Sequence, residues 1–418
     1  GVAASISVDG NAEFAGIVTA SSSVKVGGGV TISESGIEAS GVGITCANIN
    51  GTQIGGRRNI VINGAMTVAQ RGTSFTSTGS EFTVDRFRHE IGTSFNFDTT
   101  TTQSTDHPNG FKNSLKITPD SVVTPSGGEN GAIRLQLEGQ DLQQFAHGTS
   151  DATPMTVSFY AKSASQNSGH VYSIQIRKYD ASGARKYVLK PFTVTDSWQR
   201  FSFTFIGDTA TAIRDTAEQG LELAWQLSSG PDDLVSATET WTSSTKFQAV
   251  SGQNDFMDNT SNEFYLTGVQ LELGSQATAF EHRSFAEELA SCQRYCYVTP
   301  YGGSSTSGAA DEETVQGSFA YNAGDDATVR VMIQFPQPMR STPIYTGSST
   351  NAKFRSSNTS NNFQLSGLSS FQMKTASNIR SMTLTVTVGS PASMGGSSSG
   401  FIEFNQAGGF LKFESELS

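Results

Sequence analysis

Cysteine, charge and long apolar runs are all scarce in this chain of 418 residues. The three cysteines, Cys46, Cys292 and Cys296, are too few for a disulfide framework, and they fit assembly in a reducing cytoplasm. Charged residues make up only 16% of the chain, whereas disorder is typical of highly charged chains. No apolar run reaches about 18 residues, so no membrane-spanning helix is expected.

The charge that is present is mostly negative, with a net value of −11 at pH 7. Nucleic-acid binding needs a basic face, and the only adjacent basic pair near a predicted domain edge is Arg57–Arg58. A solvated hinge explains that pair better than a phosphate contact does. The sequence therefore predicts no nucleic-acid partner and no membrane insertion.

Glycine and phenylalanine are abundant instead, with 43 and 27 residues. Apolar residues alternate with polar ones in many short runs, and Gly, Ser and Asn turns separate these runs. In residues 201–205 and 221–227, for example, every second side chain is apolar, so each run presents one apolar face. The pattern predicts an all-β protein whose strands form two packed sheets.

The stretch Glu263–Tyr297 contains a long predicted strand followed by the one convincing helix. The apolar phase of the strand shifts at Gly268, which predicts a β-bulge there. Ser284 is a good N-cap, and Glu287 three residues later completes a capping box. The helix is predicted over residues 284–297 because four apolar residues share one face, namely Phe285, Leu289, Cys292 and Cys296.

Two long motifs bracket the middle of the chain: RRNIVINGAMTVAQRGTSF at 57–75, and TGVQLELG, FEHRS and AEELASCQRY within 267–295. In this order they resemble the middle domain of tail-fibre-like proteins of bacteriophages. Between them, TVSFYAKS and SWQRFSFTF resemble jelly-roll carbohydrate-binding modules, and this likeness implies that Trp198 packs in the core under the sheet. FPQPMRSTP at 335–343 resembles the distal domain of the same phage proteins.

Composition and resemblance together predict four segments. Residues 1–55 form a thin, repeat-like stem in which three chains intertwine, because such short strands bury too little apolar surface alone. Residues 56–283 form a jelly-roll carbohydrate-binding-like β-sandwich, residues 284–297 a helical collar, and residues 298–418 a distal β-sandwich domain that is the candidate receptor-binding tip. A flexible leader is the alternative for residues 1–55.

The resemblance implies a tail fibre subunit that is assembled in the host cytoplasm and located in the virion. We expect a homotrimer, with other phage tail or virion proteins as partners, that attaches without catalysis to a bacterial surface glycan or outer-membrane receptor. Three weak sites on one stalk would bind jointly through avidity. A purely structural decoration or linker protein is the first alternative, and a capsule-degrading tailspike enzyme is the second.

Exposed aromatic rings on a sandwich are the usual sugar platforms, because a ring can cover the apolar face of a pyranose. The carbohydrate-binding candidates are Tyr160, Tyr172, Tyr179, Tyr187 and Trp241. Each of these residues also fits a role in packing, and the sequence leaves open which face of the sandwich is exposed.

A structural calcium ion is the one cofactor that the resemblance suggests, since carbohydrate-binding modules of this kind often hold one. Asn63 matches the position of the first ligands, and Asp255, Asp258 and Asn259 lie in an oxygen-rich loop before the last strand. A polar turn explains that loop equally well. No other cofactor is expected.

No catalytic motif is convincing. Residues 396–400 spell G-S-S-S-G, but they lie in a Ser/Gly tract and follow all five histidines, which is the wrong order for a hydrolase nucleophile. The adjacent carboxylates Asp232 and Asp233 do not supply the separated pair that a glycosidase needs across its cleft. The sequence therefore predicts a protein that is not an enzyme.

Overall fold

The computed structural model describes residues 57–92, 95–244, 246–299, 328–348, 379–387 and 410–417, together with isolated strands elsewhere. The chain divides into two compact units, Gly1–Asn50 and Gly51–Ser418. In the described part of the first unit the strands are β1 (Ala4–Ile6), β2 (Ala12–Phe14), β3 (Ser23–Val26), β4 (Val30–Ser33), β5 (Gly36–Ala39) and β6 (Asn48–Ile49). Strand β1 pairs antiparallel with β2, and β4 pairs with both β3 and β5. The predicted three-chain packing of the stem concerns side chains outside the described residues.

The second unit contains a β-sandwich. Its strands and the short ones around it are β7 (Thr52–Gln53), β8 (Ser74–Ser77), β9 (Glu81–Phe82), β10 (Phe87–Gly92), β11 (Thr99–Ser104), β12 (Ser114–Pro119), β13 (Asn130–Glu138), β14 (Met155–Ser163), β15 (Val171–Tyr179), β16 (Arg185–Thr193), β17 (Gln199–Phe205), β18 (Gln219–Ser229), β19 (Leu234–Val235), β20 (Thr242–Ser243), β21 (Ala249–Val250) and β22 (Phe264–Leu273). The seven-stranded sheet has the order β20-β16-β15-β18-β13-β10-β9, and the six-stranded sheet has the order β17-β14-β22-β12-β11-β8. Their apolar faces meet in one core, which includes Ile133, Phe159, Ile174, Trp225 and Leu266. The prediction of an all-β sandwich is confirmed.

Strand β22 lies inside the six-stranded sheet and contains the predicted bulge. Its pairing with β14 shifts between Ser158 and Tyr160, and Gly268 opposite has φ of 61°. Leu266 before the bulge and Val269 after it both point into the core, although an uninterrupted strand would send them to opposite faces. The bulge at Gly268 is confirmed, and it lets both halves of the strand bury their apolar residues.

The predicted capping box is present, but the helix is shorter than predicted. Helix α1 spans Phe285–Gln293, and Ser284 and Glu287 bond reciprocally at its start. Cys296 begins strand β23 (Cys296–Thr299), so the prediction of helix up to residue 297 is wrong. The chain turns at Arg294 and Tyr295, whose side chains bond to Glu138. Within the described residues no helix is long and apolar enough to span a membrane.

The remaining strands are β24 (Glu313–Val315), β25 (Tyr321–Asn322), β26 (Thr328–Gln334), β27 (Ile344–Ser348), β28 (Ala352–Ser356), β29 (Asn362–Gln364), β30 (Ser381–Thr387), β31 (Gly400–Phe404) and β32 (Phe410–Glu414). They form three small sheets with the orders β23-β32-β27, β24-β31-β28-β29 and β25-β26-β30. Whether these sheets pack as the predicted distal sandwich depends mostly on side chains outside the described residues. The collar role of residues 284–297 also stays a prediction.

The two signature motifs bind each other. Glu281 accepts hydrogen bonds from the backbone N–H groups of Arg58 (2.9 Å) and Asn59 (2.6 Å). Arg283 donates to the carbonyl of Val61 at 3.0 Å, and Glu288 on α1 accepts from the N–H of Asn63 at 2.7 Å. The motifs therefore fasten the beginning of the sandwich to the segment that leaves it, which is a structural role.

A buried ionic cluster fastens the C-terminal tail to the sandwich. The carboxylate of Glu416 pairs with Arg71 at 2.8 Å and also with Arg86, and the three side chains are at most 6% exposed. Arg86 further donates to the carbonyl of Gln136 at 2.5 Å and lies 3.4 Å from the ring centroid of Tyr295. Strand β10, strand β13, the end of α1 and the tail thus share one charged cluster.

We predict that Gly268→Ala destabilises the protein by about 2–4 kcal/mol, because it combines left-handed backbone strain with a steric clash. A Cβ at this position would lie 2.7 Å from Phe111 and 2.8 Å from Tyr160. Gly110→Ala is the matched control, since Gly110 also has positive φ (90°) but a Cβ there meets nothing within 4 Å. Urea unfolding measures both variants, and an equal loss in the two would contradict the clash.

We predict that Glu416→Gln costs about 3 kcal/mol of unfolding free energy, because it leaves the buried guanidinium of Arg86 without its carboxylate and removes one of the three carboxylates that pair with Arg71. Glu239→Gln is the control: its partner is Lys190, but its side chain is 78% exposed. That change should stay within about 0.5 kcal/mol. Similar unfolding midpoints for the two variants would show that the tail is not held by this cluster.

Candidate functional site

The face of the seven-stranded sheet that points away from the core is polar and buried. In the register of β13, β18 and β15, Ala224 lies between Arg134 and Gln175, and Glu222 lies between Gln136 and Arg177. These residues alternate with the core residues of β13, β15 and β18, so they share the opposite face. All of the polar ones are at most 5% exposed. We call this surface the polar face: Arg134, Gln136, Ser173, Gln175, Arg177, Glu222 and Gln226.

Many hydrogen-bonding atoms of the polar face have no protein partner. Both side-chain atoms of the Gln175 amide and of the Gln226 amide lack one, as do Nε and Nη1 of Arg177. Only one carboxylate oxygen of Glu222 is hydrogen-bonded: Oε2 accepts from Gln136 at 3.2 Å, while Oε1 has no partner. Buried polar groups are normally hydrogen-bonded, so such a concentration on one surface calls for an explanation.

The segment between β18 and β22 covers this face. Phe247 lies between two guanidinium groups, with its ring centroid 3.3 Å from Cζ of Arg134 and 3.6 Å from Cζ of Arg177. Two guanidinium carbons come this close to one centroid only from the two sides of the ring. Arg177 also donates to the carbonyl of Lys246. Burial lowers the pKa of Arg134, with Glu222 and Glu90 opposing that effect.

The polar face ends at an open cavity. Tyr179 is the last residue of β15, and the cavity beside it has a volume of about 430 Å³. The guanidinium carbons of Arg185 and Arg214 lie 5.3 and 5.6 Å from the Tyr179 ring centroid. The complete lining is Tyr179, Gly183, Arg185, Arg214, Glu218, Gln219, Arg340 and Leu417. We call it the Tyr179 cavity.

Three of the predicted sugar platforms are buried. Tyr172 is 0% exposed and packs in the core against Phe256 and Phe264. Tyr187 is 4% exposed, because it forms a small second core with Leu189, Val235 and Val250 beneath the covering segment. Tyr179 is 6% exposed and contributes a wall to the cavity rather than an open platform. A ring in such surroundings has no free face for a pyranose, so the predicted platform role of these residues is corrected.

Trp241 and Tyr160 are both half-buried; Trp241 directly precedes β20 of the seven-stranded sheet, whereas Tyr160 lies on β14 of the six-stranded sheet. Trp241 donates from Nε1 to the carbonyl of Ile206 at 2.7 Å and meets His147 edge-on at 5.6 Å. Tyr160 lies on the outer face of the six-stranded sheet, 5.3 Å from Phe111 by ring centroids. The structure therefore does not bring the five candidate rings together into one site.

Trp198 does not belong to the core. It is half-buried, and its Nε1 donates to Asp106 at 3.0 Å. Its ring meets Tyr265 at 6.0 Å, and the ammonium of Lys162 lies 5.7 Å from its centroid. The prediction that Trp198 packs under the sheet is wrong, because a residue just ahead of β17 reaches over the outer face instead.

Asn63 is engaged by the backbone. Its Nδ2 donates to the carbonyls of Val68 and Asp85, both at 2.9 Å, and its Oδ1 accepts from the N–H of Val68 at 2.9 Å. Its φ of 60° is a left-handed conformation that asparagine tolerates. The side chain thus stabilises the turn of the first motif and does not fit a calcium ligand.

The oxygen-rich loop is a hydrogen-bonded turn. Asp255 caps a short 3-10 helix by accepting from the N–H of Met257 at 3.1 Å. Asp258 accepts from Nδ2 of Asn262 at 2.7 Å, and Asn259 accepts from the N–H of Ser261 at 2.9 Å. Because N–H groups already donate to these side-chain oxygens, the loop is not arranged to coordinate a calcium ion. Among the described residues, no group of three or more His, Cys, Asp or Glu side chains is arranged to hold a metal ion.

The polar face was missed by sequence reasoning, although one signal was present. Gln, Arg and Glu alternate with Leu, Ile and Trp on β13, β15 and β18, which is also the pattern of a strand with one solvated face. Only the later segment that contains Phe247 turns this face into a buried surface. The G-S-S-S-G tract lies mostly outside the described residues.

No protein-family model and no curated protein sequence matches the chain. Among solved structures, the chain is similar to the CBM22-1 xylan-binding domain from Paenibacillus barcinonensis Xyn10C, with 11% identity over 53% of this chain and 100% of that chain, and a TM-score of 0.28. It is similar to a family 11 carbohydrate-binding module of a cellulosomal cellulase from Clostridium thermocellum, with 11% identity over 50% and 100% of the chains and a TM-score of 0.26. It is also similar to the enzymatically active domain of tailspike protein 4 from Bacteriophage CBA120, with 10% identity over 51% of this chain and 21% of that chain, and a TM-score of 0.27. TM-scores this low carry no argument about function.

A buried His147 predicts loss of stability in mild acid. Burial, and then the charge of Lys178, lower the pKa of His147 from 6.5 to about 4. Asp208 pairs with Lys178 at 2.7 Å and with Lys186 at 3.0 Å. As the pH falls, the unfolded chain binds a proton at His147 near pH 6.5, whereas the folded chain does so only near pH 4. The free energy of unfolding is therefore unaffected by His147 above pH 6.5 and decreases as the pH falls from 6.5 toward 4.

The check is urea unfolding between pH 7.5 and 4.5. His147→Gln should flatten the fall by roughly 1–2 kcal/mol. Some dependence should remain, because burial also lowers the pKa of His89 to about 4. Parallel pH profiles for the variant and the wild type would refute the assignment.

Proposed function

We propose that this chain is a non-catalytic, glycan-binding subunit of a phage tail fibre that attaches the virion to a bacterial surface. One observation carries the binding part of the proposal. Gln175, Arg177 and Gln226 present unpartnered amide and guanidinium atoms on one surface, and each residue is 0% exposed. A surface of this kind costs folding free energy unless a ligand or solvent uses it.

Sugars fit the chemistry of the polar face. Each sugar hydroxyl is both donor and acceptor, and a side-chain amide offers both complements in one plane. Guanidinium groups add fixed donors, while Glu222 adds an acceptor that is only half used. The ring of Phe247 occupies the middle of this surface, so the covering segment has to move aside when a glycan chain extends over it.

The role in a tail fibre is supported by the motifs at 57–75, 267–295 and 335–343, which resemble phage fibre proteins. We propose a homotrimer in the virion, with other tail proteins as partners, since three sites on one stalk increase avidity. Sedimentation of the intact chain tests this part, and a monomer mass would refute it. A structural virion protein that binds no glycan remains the alternative.

We predict that Gln175→Leu and Gln226→Leu separate binding from folding. Replacing a buried amide that has no partner by an apolar group of similar shape should leave stability unchanged or raise it. Binding of the intact trimer to its glycan should fall about tenfold or more, because the hydroxyls lose their partners. A glycan array followed by calorimetry on the strongest ligand measures this effect.

Gln270→Leu is the control variant. Gln270 accepts from the N–H of Glu281 at 2.9 Å and donates to Glu272 at 2.9 Å, so its loss should lower stability and spare binding. Full binding by both polar-face variants, or no array signal for the wild type, would overturn the proposal. Release of reducing ends from a bound polysaccharide would instead favour a capsule-degrading enzyme.

A further inference from the structure

We infer that the Tyr179 cavity binds the carboxylate of an acidic sugar, so the glycan that this chain recognises contains uronic-acid-like residues. The inference rests on the proposed function, which it makes more specific. It depends on the position of the cavity, on its charge and on the way its arginines are held.

The cavity continues the polar face. Arg177 and Tyr179 are two residues apart on β15 and therefore lie on the same side of the sheet. Gln219, which lines the cavity, donates from Nε2 to Oε2 of Glu222 on the polar face at 2.9 Å. The cavity volume of about 430 Å³ lies within the range of about 300–1,000 Å³ that is typical of small-molecule sites.

The cavity is basic in an acidic protein. Three arginines and one carboxylate line it, whereas the whole chain has a net charge of −11. Glu218 offsets one guanidinium, because its carboxylate pairs with Nη1 of Arg214 at 2.7 Å. A positive excess inside a concave surface focuses the field on an entering anion.

Arg340 supplies a further positive charge, and no carboxylate of the described residues forms an ion pair with it. Its Nε, Nη1 and Nη2 donate to the carbonyl oxygens of Ser415 (2.6 Å), Ala217 (3.0 Å) and Glu416 (2.9 Å). These bonds fix the guanidinium in place while leaving its formal charge in the wall. Burial lowers the pKa of Arg340, although the charges of Glu138 and Glu416 act in the opposite direction.

A carboxylated pyranose matches these features better than a neutral one. Its carboxylate accepts charge-assisted hydrogen bonds from guanidinium groups, and its hydroxyls continue onto the amides of the polar face. A neutral sugar in the same cavity would bring no negative charge to the arginines of its wall.

The experiment uses the intact chain and two probes: a galacturonic-acid oligosaccharide and the neutral galactose oligosaccharide of the same length and linkage. We expect the acidic probe to bind about tenfold more tightly in calorimetry at about 50 mM salt, with a smaller preference at about 300 mM salt because screening shortens the reach of the charges. Arg185→Gln should remove most of this preference, because it weakens binding of the acidic probe more than binding of the neutral one.

Two further variants sharpen the test. Glu218→Gln should raise affinity for the acidic probe about twofold to fivefold, because it removes the carboxylate that faces Arg214 in the wall. Arg200→Gln is the matched control, since Arg200 lies on the outer face of the six-stranded sheet and bonds to Ser158 at 3.1 Å. It should change neither affinity.

The outcomes separate this inference from the proposed function. Equal affinity for the two probes, or an acidic preference that Arg185→Gln leaves intact, overturns the acidic-sugar assignment while glycan binding itself stands. The same holds if the array shows only neutral ligands. Absence of every glycan signal overturns the proposed function, and the assignment is then refuted with it.

Discussion

The buried pairing of Glu416 with Arg71 and Arg86 is the constraint on which the second unit depends. Burying a charged side chain costs free energy unless an opposite charge compensates it. Here the carboxylate of Glu416 pairs with the guanidinium groups of both Arg71 and Arg86. The pairing fixes the tail, and the carbonyls of Ser415 and Glu416 in turn fix Arg340. The tail therefore positions Arg340 in the wall of the Tyr179 cavity and adds Leu417 to that wall.

The cluster also explains why the chain from Gly51 to Ser418 forms one unit. Arg86 is held with φ of 73°, a conformation that is costly for a residue with a side chain. Its guanidinium contacts reach β13, the Tyr295 ring and the tail, so several elements over-determine that conformation. Strain of this kind persists only when surrounding contacts impose it.

Periodicity predicted the sandwich, the bulge at Gly268 and the capping box of α1, because each depends on residues that are neighbours in the sequence. Periodicity did not predict which face of a strand is covered. Tyr172 and Tyr187 both lie in alternating runs, yet one enters the main core and the other lies under a segment about 60 residues later. The polar face was missed for the same reason, because the segment that covers it, which contains Phe247, comes later in the sequence. The prediction for Trp198 was wrong for a related reason: the side chain of a residue just ahead of a strand can lie on either face of the sheet.

The phage-like motifs and the candidate site occupy different parts of the chain. Glu281, Arg283 and Glu288 join one motif to the other, so these residues define the scaffold. The polar face and most of the cavity come from stretches outside every motif, and Arg340 is the exception because it both holds the tail and lines the cavity. A scaffold closed by its own motifs tolerates exchange of the side chains on its outward strands, since function depends on such side chains more than the fold does. The resemblance therefore describes the framework, and the proposed ligand is inferred separately, from Gln175, Arg177, Gln226 and the arginines around Tyr179.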